Sequence, residues 1–490
     1  MAYLLAVVLI SPFIYFLFHM VYNVYFHPLH CYPGPKLWAA THLFWVYYRV
    51  TGKLVWKSID LHREYGTVVR VAPDQLSYTS ETALKTIYGH RPVEMQKNCL
   101  AGFSRPGLRN VHAILSADQT NHARLRRVLA PALSETAVKE YDSVITKYVD
   151  LLMEKLAVRC EAPLDLNQWF EWTTLDIVSD IVCGEPARAL ERENGGPWLN
   201  ILTASIQSQV WLQALEFYGL LPWRQYLLPK HMANAAIDNF RITSAKVETR
   251  LGRLNIRKDF FSYVLRHSDE KGMSTLEMKL NVATIIGAGT GTTATWLTTT
   301  VYNLACKPEI YRLLTDEIRS SFRCKEEITL ASVSKLLYLS AVIKESLRIH
   351  SPSPSSLGRF VPERGEVIDG RFVPAGTTVG VHHHAAYHMS SNFYLPDDFC
   401  PERWLPEAQG SKCPFAQDNI GVMQPFSYGP RTCLGIRLAH AETRIILAKL
   451  LWNFDIEIMP EAQNWQDSSK GTVAWHRKAM KSVLIPRERK

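Results

Sequence analysis

The chain has 490 residues, of which 47% are apolar and 21% are charged, an ordinary composition for a globular protein. Its length allows two or three domains, but we find no repeat, low-complexity tract or Gly/Ser linker, and we expect one large domain. The net charge of +9 is scattered along the chain, which excludes a nucleic-acid-binding block and fits a basic face that contacts an acidic partner or membrane surface.

The N-terminal segment is predicted to be a membrane anchor. No charged residue precedes Lys36, and residues 2–24 are almost wholly apolar. As a helix this segment is about 35 Å long, enough to cross a bilayer. A cleaved signal peptide is the alternative, but the segment lacks a basic start and a small-residue cleavage site. Basic residues follow the span, which predicts one crossing with the main domain in the cytosol.

The segment after the anchor is predicted to be a stiff hinge. Pro33-Gly34-Pro35 cannot be helical, so we divide the chain into an anchor (1–26), a proline-rich hinge (27–35) and a main domain (36–490). The main domain is expected to be mainly α with small β-sheets (α+β). Its predicted parts are a hairpin (65–80), a long helical region (118–310), a small sheet (365–381), an ordered coil (390–432) and an amphipathic helix (436–452).

A long helix is predicted between Ser274 and Cys306, with an unusual centre. Ser274 and Glu277 form a capping box, and Lys307-Pro308 supplies a stop. The stretch GAGTGTT (287–293) is rich in glycine and threonine, both poor helix formers. The sequence therefore weakens this helix in its middle.

The segment PFSYGPRTCLG is the most informative for chemistry. Cys433 lies just before an amphipathic helix, between Gly429 and Gly435. A helix N-terminus lowers the pKa of a thiol and directs backbone N–H groups at the sulfur. Gly429 permits a tight turn, and Gly435 lets a flat group approach the backbone. With Phe426 to shield the sulfur and Arg431 to hold a carboxylate, the segment indicates a thiolate ligand for haem iron.

A lone free cysteine is usually structural, but the whole arrangement F-x-x-G-x-R-x-C-x-G resembles the haem-binding signature of the cytochrome P-450 superfamily at every fixed position. The resemblance covers essentially the whole chain. The style of YNVYFHPLHCYPGPK and of the segment after Cys433 is similar to fungal microsomal members that oxidise secondary metabolites such as terpenoids, including trichothecene hydroxylases. The resemblance to the superfamily implies the cytochrome P-450 fold for residues 36–490 and haem b with Cys433 as axial ligand.

Four further arginine-containing motifs match this family. HARLRR places His122 and Arg126, and LGRFVP places Arg359, where the resemblance implies contacts with the haem propionates. His122 replaces the family's usual tryptophan. KESLR and FCPERW supply three residues for which the resemblance implies a buried structural salt-bridge network, namely Glu345, Arg348 and Arg403.

The resemblance also gives the weakened helix a use. The family's central helix carries A/G-G-x-D/E-T-T/S, which Ala288 to Thr293 fill except at Gly291, where the family usually has an acid. Small residues such as Gly289 are implied to let the helix lie close to the haem, and the Thr292 hydroxyl to hydrogen-bond dioxygen. Gly291 puts the usual proton relay in doubt, and water in the extra space is one replacement.

The implied activity is that of a monooxygenase, which inserts one oxygen atom from O2 into a small apolar molecule. No flavin or nicotinamide motif is visible, and the stretch after Cys433 is too short for a reductase domain. The electrons are therefore expected from NADPH through a separate FAD/FMN reductase, with cytochrome b5 as a second donor, on the endoplasmic reticulum membrane. A reductase-independent isomerase or dehydratase and a non-catalytic haem ligand binder are the alternatives.

Two sets of residues complete the expectations. Segments 95–116, 200–225 and 353–358 are expected to line the substrate pocket and to be apolar. The histidines at 382–384 are predicted to lie on a strand with alternating directions, which prevents all three from reaching one metal ion. They are predicted to be structural.

Overall fold

The computed structural model describes residues 2–98, 111, 113–253, 258–266, 272–410 and 412–487, with side chains of the first helix from Ile10 onward. The helices are α1 (Ala2–Tyr25), α2 (Lys36–Ala40), α3 (Leu43–Val50), α4 (Leu54–Tyr65), α5 (Glu81–Tyr88), α6 (Gln119–Leu129), α7 (Glu135–Glu140), α8 (Asp142–Arg159), α9 (Leu166–Cys183), α10 (Ala189–Arg192), α11 (Gly196–Phe217), α12 (Arg224–Leu227), α13 (Lys230–Leu251), α14 (Phe260–Val264), α15 (Thr275–Ala305), α16 (Pro308–Ser321), α17 (Leu330–Val333), α18 (Leu337–Ile349), α19 (His383–Tyr387) and α20 (Ile436–Asn453). The strands are β1 (Val68–Ala72), β2 (Gln75–Tyr78), β3 (Leu164–Asp165), β4 (Arg359–Phe360), β5 (Glu366–Ile368), β6 (Arg371–Val373), β7 (Thr378–Val381), β8 (Phe454–Ile458), β9 (Lys470–Gly471), β10 (Trp475–His476) and β11 (Lys481–Pro486). The mainly α prediction with small sheets is confirmed.

The strands form small sheets at the edges of the helical body. β1 and β2 make the predicted antiparallel hairpin, and the sheet continues in the order β1-β2-β7-β4. β7 pairs parallel with β2, so the predicted sheet at 365–381 is split: β5 and β6 form their own hairpin. The split has a physical reason, since every residue of β7 is buried and a central strand suits such a segment.

The central helix α15 is continuous through GAGTGTT. Its capping box is as predicted, because the Ser274 hydroxyl accepts from the Glu277 N–H (3.2 Å) and the Glu277 carboxylate accepts from the Ser274 N–H (3.0 Å). The helix packs against α9, α13, α18 and α20, and this burial overrides the poor intrinsic propensity. Its threonine hydroxyls donate to carbonyls four residues earlier at 284, 290, 292, 295, 298 and 300.

The predicted salt-bridge network is present and fully buried. The Glu345 carboxylate accepts from Arg348 (2.7 Å) and Arg403 (3.1 Å), and also from the Trp404 indole (2.7 Å). Burial alone would raise the pKa of Glu345, but the two guanidinium groups hold this pKa below its usual value. The network ties α18 to the coil before Cys433, so it is a structural device.

The N-terminal helix forms over Ala2–Tyr25, and its side chains from Ile10 onward are largely exposed. Within the described part of the chain, no helix combines the length and apolar character that a membrane crossing requires. The predicted hinge docks on β1, because the Arg70 N–H donates to the Pro33 carbonyl (2.7 Å) and a Cβ at Gly34 would lie 2.5 Å from the Arg70 carbonyl oxygen. Glycine at this position therefore permits a close approach of two backbones.

Candidate active site

A cavity of about 520 Å³ lies between α15, α6, the first sheet and the loop before α20. Two predicted residues, Gly291 and Gly429, are not part of its lining. The other predicted site residues all line it, namely His122, Arg126, Gly289, Thr292, Arg359, Phe426, Arg431, Cys433 and Gly435. Residues that are far apart in the chain are therefore brought to one site.

The loop that carries Cys433 is closed by local hydrogen bonds. The Cys433 N–H donates to the Phe426 carbonyl (2.8 Å). Gly429 has φ +75, and a Cβ there would collide with the Tyr88 carbonyl oxygen. The predicted tight turn at Gly429 is thus confirmed, and its glycine is required both for its dihedral angle and for the contact with α5. The turn directs the Cys433 sulfur into the cavity.

The Cys433 thiol has a higher pKa than the sequence predicts. Surrounding protein shields the sulfur from bulk water although it faces the cavity, and this burial raises the pKa of the thiol. The backbone N–H groups of Gly435 and Ile436 and the charge of Arg126 lower the pKa only in part. The predicted N–H groups at the sulfur are confirmed, but the predicted net lowering is wrong for the chain alone. A coordinated metal ion deprotonates its thiol ligand.

The surroundings of the sulfur are apolar and open on one side. The Phe426 ring lies 5.9 Å from that of Trp296 and 5.4 Å from that of His440, between α15 and α20. A Cβ at Gly435 would meet only the Cys433 sulfur, at 3.9 Å. A flat group can therefore approach the sulfur over Gly435, as predicted.

Four cationic side chains surround His122 at one end of the cavity. Burial, and after it the charges of Arg431, Lys97, Arg126 and Arg359, together lower the pKa of His122 to about 3. The ring is therefore neutral and the positive charge belongs to the four cations. Such a cluster in a buried site favours an anionic ligand.

Arg431 is already engaged by the protein. Its Nε pairs with the Glu94 carboxylate (2.7 Å), and its Nη1 donates to the Ala117 carbonyl (3.0 Å). The predicted carboxylate partner is thus supplied in part by Glu94, while Nη2 has no hydrogen-bond partner among the described residues. Glu94 was not predicted, because its surroundings contain no motif, and Lys97 was expected only as part of the pocket segment 95–116. The long-range bridge between Lys97 and Arg359 brings this stretch here.

The glycines and threonine of α15 face different neighbours. The Thr292 hydroxyl lies at the cavity and donates to the Ala288 carbonyl (2.6 Å). A Cβ at Gly289 would lie 2.9 Å from Val178 Cγ2, so this glycine permits close packing with α9 as well as access to the cavity. Gly291 lies outside the lining, and a Cβ there would meet nothing within 4 Å. The open space expected at Gly291 is present, and its catalytic role stays a prediction.

Glu442 is a cavity residue that the sequence reasoning missed. It is 1% exposed, and neither carboxylate oxygen has a partner in the described part of the chain. Burial raises the pKa of Glu442 to about 8, so the group is mostly protonated at neutral pH. The available signal was its spacing from Leu438, which places both side chains on one face of α20.

The predicted pocket segments are present, but their character differs. The polar lining residues are Lys97, Asn98, Gln209, Gln213 and the serines at 353, 355 and 356, and the apolar ones are Ile114, Leu115 and Leu357. Residues 99–110 and 112 of the first segment lie outside the described residues. The lining from these segments is therefore mixed, and the expectation that it is apolar holds only for part of it.

The histidines at 382–384 also differ from the prediction. His382 caps α19, so the three residues begin a helix and not a strand. His382 and His383 line the cavity, whereas His384 packs against Trp56 and Trp475. The alternation expected of a strand does not apply to them.

The residues of the cavity fit a haem. A cysteine sulfur with N–H donors, an approach without side chain at Gly435, aromatic shielding by Phe426 and a cationic end for two carboxylates are the features that this group requires. Cys433 would hold the iron, and Arg126, Arg359 and His122 would face the propionates. Fold and site together define a haem-thiolate protein.

Comparison with known proteins agrees with this class. The Cytochrome P450 family matches residues 32–483. The cytochrome P450 monooxygenase alt3 of Alternaria solani is 37% identical over 481 residues, covering 98% of this chain and 93% of its own. Averantin hydroxylase of Dothistroma septosporum is 36% identical over 471 residues, covering 95% of this chain and 88% of its own. The chain belongs to the cytochrome P450 family, as the signature around Cys433 predicted.

Proposed function

We propose that the protein is a haem-thiolate monooxygenase that inserts one oxygen atom from O2 into a small, largely apolar secondary metabolite of a fungus. The observation that carries this proposal is the Cys433 sulfur at the cavity, with Thr292 of α15 in the lining of the same cavity. The haem, when bound, supplies the activation of dioxygen. The relatives named monooxygenases, including an averantin hydroxylase, support the reaction class.

The residues around the cavity have separable roles in this proposal. Arg126 and Arg359 bind the haem carboxylates, and Phe426 excludes water from the sulfur. With haem bound, the Thr292 hydroxyl would hydrogen-bond at the oxygen site, and the open space beside Gly291 would give water access to α15 in place of an acidic side chain. A terpenoid is our proposed substrate skeleton, by the resemblance of the chain to terpenoid-oxidising members.

Turnover with different electron sources tests the reaction class. With the purified protein, NADPH, a fungal reductase and an extract of the producing organism, we expect consumption of O2 and a product heavier by one oxygen atom. A haem-thiolate isomerase or dehydratase would instead convert a lipid hydroperoxide without NADPH, and a ligand binder would convert nothing in either assay. Those two results would each contradict a monooxygenase.

We propose that a separate NADPH-dependent FAD/FMN reductase, with cytochrome b5 as a second donor, docks near the Cys433 end of α20. Exposed basic residues lie on neighbouring elements here, namely Arg127 on α6, Lys139 on α7 and Arg437 on α20. The Arg437 guanidinium meets Glu135 of α7 (2.8 Å), which places α7 beside the first turn of α20. An R127E/R437E variant should accept electrons more slowly from the reductase, with no change when dithionite is the reductant.

We propose that α1 anchors the protein in the endoplasmic reticulum membrane with the catalytic domain in the cytosol. The support is the absence of charged residues before Lys36 and the exposure of Phe13, Phe18 and Phe26, each at least 67% exposed. Deletion of residues 2–26 should release the protein from membranes while haem binding persists. Retention of the shortened protein on membranes would contradict an anchor at this position.

A further inference from the structure

Among the residues that the structure describes, Arg49 is a cation without an acidic partner. It lies on α3 and lines the cavity. Its Nε donates to the Gln213 side-chain oxygen (2.9 Å), and its guanidinium lies 5.1 Å from the Trp45 ring centroid. Its remaining N–H groups meet no hydrogen-bond acceptor in the described ranges, and burial lowers the pKa of Arg49 to about 10. Arg49 is only partly buried, but a charge that has lost part of its hydration favours an anionic ligand that reaches it through the cavity.

Arg49 is separate from the cations that face the haem carboxylates. The four cations that act on His122 are Lys97, Arg126, Arg359 and Arg431, and Arg49 is not among them. Instead, Arg49 lies near His382. Burial lowers the pKa of His382 well below its usual value, and the charges of His62, His383 and Arg49 lower it further. Arg49 is therefore a lining cation in addition to the four near His122.

His382 adds a hydrogen-bond donor beside Arg49. Its Nδ1 accepts the backbone N–H of Ala385 (3.3 Å), so in the neutral ring the proton resides on Nε2. This Nε2–H group is buried, has no partner among the described residues, and belongs to a residue that lines the cavity. Arg49 and His382 therefore both offer donors, which is the arrangement that an oxyanion requires.

Two glutamines of α11 accompany these donors in the cavity lining. Gln213 fixes the Arg49 guanidinium through Nε, which leaves the outer edge of the guanidinium for a ligand. Gln209, one turn earlier, lines the same part of the cavity and has a buried side-chain oxygen without a partner. This oxygen is suited to accept a hydroxyl hydrogen of a ligand. Of the described lining residues only Glu442 is acidic, and burial keeps it mostly protonated at neutral pH.

We propose that Arg49, held by Gln213 and assisted by His382, binds a carboxylate at one end of an otherwise apolar substrate. This inference rests on the proposed monooxygenase function and adds the substrate class, an amphipathic organic acid. The carboxylate would neutralise Arg49, and the apolar remainder of the substrate would extend along the cavity from α3 towards Thr292. The subsite thus selects which end of the substrate is presented for oxidation.

Matched ligands with and without a carboxylate test the proposal. We would titrate the ferric holoprotein with dodecanoic acid and with dodecan-1-ol at about pH 7.5, where the acid is ionised. Isothermal titration calorimetry and the haem absorption spectrum report binding without turnover. We expect dodecanoate to bind about tenfold more tightly than the alcohol. Arg49→Leu should remove this preference and leave the alcohol affinity within about twofold, because only the charge contact is lost.

Two controls separate the possible causes. Arg63→Leu removes a guanidinium that pairs with Asp397 (2.6 Å) outside the cavity lining, and it should leave the preference intact. Arg49→Lys keeps the charge but not the two-pronged geometry, and it should give an intermediate preference. Equal binding of acid and alcohol by the unaltered protein, no binding of dodecanoate, or an undiminished preference in Arg49→Leu would overturn the proposal. These outcomes leave the haem-thiolate spectrum intact, so they are distinguishable from failure of the proposed function.

Discussion

Thr292 and Thr284 occupy equivalent local settings on the central helix but differ in their expected function. Both side chains line the cavity, and both hydroxyls donate to the carbonyl four residues earlier, Thr292 to Ala288 (2.6 Å) and Thr284 to Leu280 (2.9 Å). The family pattern assigns contact with dioxygen only to Thr292. Replacement of either threonine by alanine removes the same kind of hydrogen bond from α15. A difference between the two variants therefore reports on the oxygen site and not on the helix.

We predict that Thr292→Ala releases several-fold more hydrogen peroxide per NADPH consumed, because proton delivery to oxygen becomes less well directed. Peroxide and NADPH are measured in the reconstituted system with the reductase. Thr292→Ser, which keeps the hydroxyl, and Thr284→Ala should both remain close to the unaltered protein. Unchanged coupling in Thr292→Ala would remove Thr292 from the oxygen site.

Gly289 and Gly291 of α15 have different structural roles. Gly289 faces Val178 of α9 at a distance that leaves no room for a larger residue, whereas Gly291 faces open space. The two positions look alike in sequence, and only the packing of α15 against α9 separates them. Close helix contact and access to the cavity are therefore supplied by different glycines.

We predict that Gly289→Ala destabilises the protein by about 1–2 kcal/mol, because its Cβ would lie 2.9 Å from Val178 Cγ2. Gly291→Ala should stabilise it by about 0.5–1 kcal/mol through helix propensity. Urea unfolding of the two variants measures both effects, and Val178→Ala should partly rescue Gly289→Ala. Equal stability of the two glycine variants would show that α9 and α15 are not packed at Gly289.

Local features of the elements were predictable from sequence, whereas long-range features were not. The capping box of α15, the turn at Gly429 and the helix after Cys433 depend on neighbouring residues, and all three are confirmed. Glu94 reaches Arg431, and Arg49 reaches the cavity, only through contacts with distant parts of the chain. Their sequence surroundings contain no motif, so their positions required the tertiary structure.

Buried neutral histidines are a property of the whole molecule. Burial lowers the pKa of His62, His383 and His388 to about 4. The pKa values of His350, His382 and His384 lie well below the usual value for the same reason. Most of these side chains lie between the first sheet, α19 and the Trp475 region, where His350 stacks on Trp475 at 3.8 Å.

We predict that the free energy of unfolding is fully retained above about pH 6.5 and falls steeply towards pH 4. Unfolded histidines titrate near 6.5, so between these limits the unfolded chain binds more protons than the folded chain. Each net proton contributes on the order of 1.4 kcal/mol per pH unit. Glu442, with its pKa raised to about 8, acts in the opposite direction, as do Asp165, Glu171 and Asp176, whose pKa values burial also raises. The six histidines outnumber these four carboxyls. Urea midpoints of the holoprotein at about pH 7.5 and 5.5 measure the difference.

A single substitution checks the origin of this pH dependence. His350→Phe preserves a ring on Trp475 and removes one titrating group, so it should reduce the loss of stability at acidic pH. The exposed His231 offers a matched control, and His231→Phe should leave the dependence unchanged. Equal stability at both pH values in the unaltered protein would contradict neutral burial of these histidines.

The assignment of Cys433 as the thiolate ligand is the central claim, and one spectrum tests it most directly. The reduced, CO-bound protein should absorb in the Soret region typical of thiolate-ligated haem. Cys433→Ala should lose this band, whereas Cys306→Ala, which removes an exposed cysteine at the end of α15, should keep it. A thiolate band that persists in Cys433→Ala would contradict the account.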